Sequence, residues 1–597
     1  MNYEGACGPR FFGDDYMTLF AENGGYHKIN RKLYNVSYAR HSMTPSQGAL
    51  DALHLIQETP WEINKDVMLF IDYLQTQGKS GPMGLSGGGS HFVRLSKEEW
   101  ESLSNKQRRE IFEAKQRGVS ERGKSSAIDS RIQIANELRD KEEFYQPQFF
   151  CFRGRIYPMN TEFNNQADHF SKGMMRFKNG MPLGPKGLRE LKLHIANTWG
   201  QDKLQLEDRE LYVNDRIDTI HSIASSFEVA AVECSKADEP IAFYAAVLEL
   251  SSALRSGDPE SFVSHVPGAI DGTCNGLQIL SLLGHDHVGA EKTNCTSNPK
   301  RQDVYMEVAD IAETLVEADK MSDSVIDLES LDGAKVGVKV SDLACIWYEH
   351  LQDPNARRKA VKRAIMTTAY GVTAFSMGRN LIADGIVDKL GIPEEVLDIF
   401  AESKYKGLLA AYFRDKIVEA RRGAINHAVE IMDYFTGVAR ALAENGLDMA
   451  WTVPDGLRVT QSYREITKKR YKSVDLGELT INKVTDIRHV KKQGSGAAPQ
   501  VVHSLDAAML RMTCIEMAKL GYTDLCMIHD SYGTHFGAIH DLHRVLREVA
   551  VFMFGGNWLL DSFHQEQLKH GVDLPTPPSQ GTLDVSYEIP KAQYFFS

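Results

Sequence analysis

No Cys-x-x-Cys pair occurs among the eight cysteines of this 597-residue chain; they stand singly at 7, 151, 234, 274, 295, 345, 514 and 526. That spacing argues against a structural zinc and a disulfide framework, and for reduced thiols. No apolar run approaches the roughly 18 residues that cross a bilayer. The first residues, MNYEGACGPRFFGDDYM, read neither as a signal peptide nor as an Arg-rich transit peptide. A basic excess is missing as well: 68 Lys and Arg face 80 Asp and Glu, a net charge of −12. A surface coated in positive charge is thereby excluded, while a local basic channel is not. Internal repeats and long low-complexity segments are absent too. What remains is ordinary globular composition, 42% apolar and 25% charged. At about 100–200 residues per domain the chain should form several units. The expectation is a cytoplasmic, enzyme-sized protein.

Residues 45–78 begin at Thr44-Pro45-Ser46 and space Leu50, Leu53, Ile56, Val67 and Ile71 as one or two amphipathic helices would. Glycines from Gly81 to Gly89 separate these from a charged helical region at 96–143. There Lys106 to Lys124 holds seven basic residues in nineteen, read as a solvated face or as phosphate contacts. Residues 186–260 and 296–450 read as mostly helical. Between Arg464 and Lys492 nine Lys and Arg stand against four Asp and Glu, flanked by alternating β-branched residues. This predicts a protruding hairpin with a basic tip.

Four segments could carry chemistry. In VPGAIDGTCNGLQILSLLG, Val266 to Ile270 reads as a short strand, Asp271 as its tip and Asn275 to Leu283 as a helix. An open carboxylate beside Gly272 suits a hard cation, or is simply a turn aspartate. In LCMIHDSYGTHF, Leu525 to Ile528 and Ser531 to Phe536 form a strand pair with His529-Asp530 at the turn. Two strand-tip aspartates matter only together, as a pair sharing two Mg2+ ions for nucleotidyl transfer. In ARRKAVKRAIMTTAYGVTAF, one continuous helix would put Arg358, Lys362 and Tyr370 at about 0°, 40° and 120°, on one face. Gly371 would end that helix; such a face could grip a triphosphate and stack on a base, or be solvated. Fourth, Pro499 should open a helix running to Gly521, with His503 and Asp506 one turn apart.

In this order the segments resemble the single-subunit, bacteriophage-type RNA polymerases, a family that includes mitochondrial and chloroplast enzymes. FYQPQFFCFRGRIYPMN at 144–160 is similar to the family's template-contacting motif, with Arg153, Gly154, Arg155 and Tyr157 in place. Lys172 falls at a basic position downstream. Asp271-Gly272 and His529-Asp530 match the two metal motifs. Arg358, Lys362 and Tyr370-Gly371 match the fingers-helix motif, and His503 in VVHSLD matches the histidine tied to ribose recognition. Tyr305 in QDVYMEVA resembles the tyrosine near the incoming nucleotide. The resemblance covers roughly residues 23–597.

The resemblance implies an α+β right-hand fold with palm, helix-rich fingers and thumb, mostly helical around a small mixed palm sheet. It implies an N-terminal segment and thumb at 1–143, palm at 144–185, a helical insertion at 186–261, and palm with the first metal motif at 262–287. Fingers would follow at 288–503, including a specificity-loop-like hairpin at 459–493, then palm and C-terminal foot at 504–597. Asp271, Gly272 and Asp530 would hold two Mg2+ ions. Arg358, Lys362, Tyr370, Tyr305 and His503 would meet the NTP; Arg153, Arg155 and Lys172 would meet template or hybrid. DNA template, RNA product and NTPs are the implied partners. Because the resemblance starts almost at once, a second polypeptide or a single-stranded template is expected to replace a promoter domain. Asn275, where many relatives carry serine, is a departure. Three other readings stay open. A related DNA polymerase would usually carry Glu where Gly276 stands. A metal-dependent phosphohydrolase would need further ligands. A catalytically dead nucleic-acid-binding relative would not need both aspartates.

Overall fold

The computed structural model describes residues 45–77, 126–329, 331, 333, 335–393, 402–473 and 477–597, with the backbone alone over 471–473 and 477–483. The basic run at 106–124 lies outside these residues, as do the glycines at 81–89.

Helix α1 (Gln47–Gln57) starts where Ser46 accepts a hydrogen bond from the Ala49 N–H at 3.2 Å. Helix α2 (Lys65–Thr76) is capped the same way by Asn64 and buries Val67, Phe70, Ile71 and Leu74. Strands β1 (Gln148–Phe150) and β2 (Ile156–Pro158) form a small antiparallel pair around the Arg153-Gly154-Arg155 turn. Gly154 takes a φ of +81°, and a Cβ there would lie 2.5 Å from Leu457 and 2.7 Å from the Arg511 guanidinium. Only glycine fits that turn. Buried Arg511 bonds the Gly154 carbonyl and Asp455, pinning the turn to the core.

Helices α3 (Gly184–Trp199) and α4 (Pro240–Arg255), with shorter helices between them, make up the expected helical stretch. The central sheet follows. Strand β3 (Pro267–Asp271) leads through Cys274 into α5 (Asn275–Leu283), all of whose side chains are buried. Helix α6 (Val304–Asp319) is capped by Asp303, and α7 (Pro354–Met366) by Asp353 with proline in its first turn. An antiparallel hairpin, Val325–Glu329 with Lys335–Lys339, interrupts this otherwise helical region and was not foreseen. Helix α8 (Glu402–Glu444) is broken at Ile425, whose φ of −139° and ψ of 43° are not helical. Trp347 stacks on Phe413 at 4.0 Å and donates to the Leu409 carbonyl, fixing α8 in the main core.

The basic segment is a hairpin, β4 (Arg464–Ser473) with β5 (Gly477–Arg488), and Ile466 stands opposite Val484. Helix α9 (Val490–Lys519) corrects two expected boundaries. The hairpin ends before 493, and the helix does not open at Pro499 but runs through it. Pro499 has no N–H to give the Ser495 carbonyl one turn back, and Gly371 packs closely against both that carbonyl and the proline ring, where a Cβ would lie 2.9 and 3.0 Å away. Strands β6 (Cys526–Ile528) and β7 (Ser531–His535) complete a three-stranded antiparallel sheet in the order β6-β7-β3. Helix α10 (Ile539–Phe554) packs beside it. Among the described residues no helix is long and apolar enough to cross a membrane.

Candidate active site

The sheet register brings the two aspartates together across 259 positions of sequence. Ser531 pairs with Asp271, and the Gly272 N–H donates to the Asp530 carbonyl at 3.2 Å. The polypeptide turns sharply at both motifs: Cys274 and His529 both hold φ at 54°, a region that non-glycine residues rarely occupy. Such conformations persist where surrounding contacts hold them, and they cluster at working sites.

Asp271 is exposed to solvent at the strand end, yet protein crowds close around it. Loss of water and the neighbouring Asp530 push its carboxyl up to about 7, against the pull of Lys172. Burial and Asp506 push Asp530 up to about 6. Both carboxyls are therefore held in a field that a cation would relieve. No group of three or more His, Cys, Asp or Glu side chains suited to a metal occurs among the described residues. The donor set is two carboxylates and backbone carbonyls, and burial pushes the nearby Cys274 thiol up to about 11, so it stays protonated. That chemistry fits a hard oxygen-seeking ion completed by substrate and water.

Around the aspartates stand the other predicted residues. Tyr370 lies 4.6 Å from His503 ring to ring, and Arg153 donates to the His503 Nδ1 at 2.6 Å. Burial, with Arg155 and Arg153 beside it, pushes His503 far down, so its ring is neutral. Arginine can only donate, so Nδ1 accepts and Nε2 carries the hydrogen. Tyr157 packs edge-on to His529 at 4.7 Å. Arg358 bonds Asp303 at 2.6 Å and lies 5.2 Å over the Tyr305 ring. Lys172 and Lys362 are exposed, and neither forms an ion pair among the described residues.

Two expectations need correction. Arg358, Lys362 and Tyr370 do not share one helix. α7 ends at Met366, where the Thr367 hydroxyl turns back to the Arg363 carbonyl, and Tyr370 sits in a separate 3-10 turn closed by Gly371 at φ 72°. Arg155 does not offer a free guanidinium to nucleic acid. It makes a two-point ion pair with Asp506, at 2.8 and 2.6 Å.

Asp506 is the residue that sequence reading undervalued. It is fully buried and also accepts a 2.7 Å bond from the Asn275 amide. Asn275 thus ties the helix after Asp271 to the Arg155 turn, which accounts for its presence there. Asp303 was likewise missed; one oxygen caps α6 at the Tyr305 and Met306 N–H groups and the other holds Arg358. Its position just before an apolar helix is a readable cap signal. Gly276 lies against the same region: a Cβ there would come 2.6 Å from Ala369 Cβ and 3.4 Å from the Tyr370 ring.

A sequence profile described as DNA-dependent RNA polymerase matches residues 181–570. The chain belongs to the DNA-dependent RNA polymerase family. Its resemblance to the phage-type branch is borne out by its relatives. It is 29% identical over 558 residues to the DNA-directed RNA polymerase 2, chloroplastic/mitochondrial, of Arabidopsis thaliana, covering 92% of this chain and 52% of that protein. It is 30% identical over 558 residues to the mitochondrial DNA-directed RNA polymerase 1 of the same plant, covering 92% and 54%. The chloroplastic DNA-directed RNA polymerase 3 of Nicotiana sylvestris is 28% identical over 564 residues, covering 92% and 54%. The chain spans about half the length of these curated relatives. The mostly helical chain with small sheets has the expected α+β polymerase fold, but the sheet of β3, β6 and β7 is antiparallel throughout rather than mixed.

Proposed function

We propose that this chain is a DNA-directed RNA polymerase that adds NTPs to an RNA 3′-end on a DNA template and releases pyrophosphate. The observation that carries the proposal is the meeting of Asp271 and Asp530 at adjacent strand tips, with Tyr370 and neutral His503 beside them. In the reaction the 3′-oxygen bonds the α-phosphorus, the bond to the β-phosphate bridging oxygen breaks, and the 3′-hydroxyl proton leaves to solvent.

Asp271, Asp530 and the Gly272 carbonyl would hold two Mg2+ ions. When bound, these lower the pKa of the 3′-hydroxyl and neutralise charge on the triphosphate. Arg358, oriented by Asp303, and Lys362 one turn along α7 grip phosphate oxygens. Tyr305 supports Arg358 from below its guanidinium. His503 donates its Nε2–H to the ribose 2′-oxygen while Tyr370 stacks on the base pair, so a ribose satisfies a buried donor that a deoxyribose leaves unpaired. Gly276 lets Ala369 and Tyr370 pack against its backbone; a glutamate there would displace them. Arg153 and Lys172 meet template or hybrid phosphates, whereas Arg155 acts from behind through Asp506.

The domain boundaries inferred from sequence belong to the same proposal, with the fingers ending at 503, within α9. So does a cytoplasmic setting, supported by seven free cysteines among the described residues. The partner expected from sequence, a polypeptide that melts promoter DNA, has its own test. Initiation by the chain alone on a linear duplex promoter, as strong as on a pre-melted one, would remove it.

The primary test is extension of an RNA primer on a DNA template with NTPs or dNTPs, using Asp530→Asn as control. Extension with NTPs that needs Mg2+ and vanishes in the variant is expected. Extension with dNTPs alone would establish the DNA polymerase reading instead. Template binding without extension by either would establish a dead relative.

A further inference from the structure

A cavity of about 770 Å3 lies beside β3, and neither Asp271 nor Asp530 is among its lining residues. Its walls come from α3, α10, the Leu206–Asn214 helix, the residues Ala269 and Ile270 of β3, and the C-terminal Gln593 and Ser597. The volume is that of a site for a compact organic ligand. Leu193, Leu206, Ile539, Val551, Phe536 and Phe552 supply apolar and aromatic surface.

The charges around this space are unevenly matched. Arg189 is taken by Glu207 and Glu210, and Arg544 by Asp541 and Glu548. Arg209 is satisfied by the Asn197 side chain and two backbone carbonyls. Arg547 donates only to neutral groups, the carbonyls of His543, Ala592 and Gln593 and the His543 Nδ1. No carboxylate among the described residues stands within ion-pairing distance of it. Burial therefore pulls Arg547 down to about 10 with no anion to oppose the shift. Two of the histidines that line the cavity bring no second cation: burial pushes His194 down to about 4, and burial with Arg547 pushes His543 down to about 3. Glu190 is pushed up to about 7 by burial, so near neutral pH it is only partly ionised. A half-buried guanidinium that keeps its charge with only neutral partners is costly, and an anion supplied from outside would lower that cost.

We propose that this cavity is a binding site for a small amphiphilic anion, an aromatic body carrying one acidic group that pairs with Arg547. The aromatic body fits the walls of Phe536, Phe552, Ile539 and Val551, and the acid meets the guanidinium in a charge-assisted bond. The site adjoins the catalytic strand. Ala269 and Ile270 form part of its wall, Asp271 is the next residue, and the Ser597 N–H donates to the Asp271 carbonyl at 3.2 Å. An occupant therefore touches the backbone that sets the first aspartate.

The test uses the full chain and anilinonaphthalene sulfonate as probe, followed by its fluorescence and by isothermal titration. One saturable site is expected, with binding weakened by about tenfold to a hundredfold in Arg547→Met, the loss of one bond to a charged group. Arg547→Lys should recover part of it, and Val551→Trp, which fills the space, should abolish it. Near-ultraviolet circular dichroism must match the unmodified chain in each variant, so that a misfolded protein is not scored; if Arg547→Met fails this, Val551→Trp decides. Hydrogen exchange at Ala269 and Ile270 should slow when the probe binds. The probe should bind Asp530→Asn equally well, which separates this site from the polymerase reading. No saturable site, or equal binding to the folded Arg547→Met and Val551→Trp proteins, overturns the proposal.

Discussion

Asp506 and Arg547 are two charges within reach of β3, and the fold keeps them in opposite ways. Asp506 is sealed from water, but Arg155 closes on it with two bonds and Asn275 adds a third. Arg547 is only half-buried, yet no carboxylate among the described residues answers it and neutral carbonyls carry its hydrogen bonds. A buried ion with a good partner acts as a strut, because moving any member exposes the others to a desolvation cost. An ion without one adds little rigidity and leaves a place for a charge from elsewhere. The first arrangement aligns the RGR turn, α5 and α9 around the aspartates; the second lines an empty volume.

The largest expected effect is therefore at Asp506. Asp506→Leu strands the Arg155 guanidinium and should cost about 3–5 kcal/mol, read as a fall in the urea midpoint. The double variant Asp506→Leu with Arg155→Leu should regain most of that stability. Extension should stay low in both, because Asn275 and the Arg155 turn lose their common anchor. If the double variant regains extension together with stability, the strut has no positioning role. Next comes Gly276→Ala, whose new methyl would lie 2.6 Å from Ala369 Cβ. Overpacking of this kind costs about 1–3 kcal/mol, and the shift of Tyr370 should lower NTP extension further than the melting temperature alone explains. A smaller stability effect is expected at Arg547. Arg547→Met gives up bonds to neutral groups while relieving a desolvated charge, so it should change stability by about 1 kcal/mol or less. A loss as large as that at Asp506 would mean the two charges are kept in the same way after all.

The difference also explains what could be read in advance. Both strand tips and the helix from Asn275 to Leu283 were legible because apolar periodicity, with a glycine after Asp271, is a local signal. The small sheet and helical stretches followed from the same patterning, and the specific motifs placed the family. Asp506 was not legible, since its partners Asn275 and Arg155 lie 231 and 351 positions away. Nothing local distinguishes it from a structural helix aspartate. The helix-face argument for Tyr370 failed for a local reason. Thr367 and Thr368 return their hydroxyls to carbonyls of the preceding turn and the backbone tightens to 3-10 before Gly371. Pro499 misled in the other direction: a proline usually opens a helix, but here a glycine from another segment makes room for it.

The β4–β5 hairpin repeats the contrast between matched and unmatched charge within one basic stretch, and it supplies the mildest test. Of the nine basic residues counted from sequence, Arg464 and Arg488 both close on Asp448, at 2.6 and 3.2 Å, and burial of that carboxyl is outweighed by the two guanidiniums. They hold the hairpin's base. Lys468, Lys469 and Arg470 in β4 are exposed and form no ion pair among the described residues, so these side chains are free to meet phosphate. Replacing these three with alanine should leave the melting temperature unchanged, because exposed unpaired charges contribute almost nothing to folding. If they touch DNA, each contact releases about 0.9 counterion. The slope of log affinity against log salt should then become shallower by about 2–3. Arg464→Ala should do the reverse, loosening the hairpin while altering the salt slope little. An unchanged slope in the triple variant would mean that this stretch of β4 does not reach the nucleic acid, and that its charge serves solvation alone.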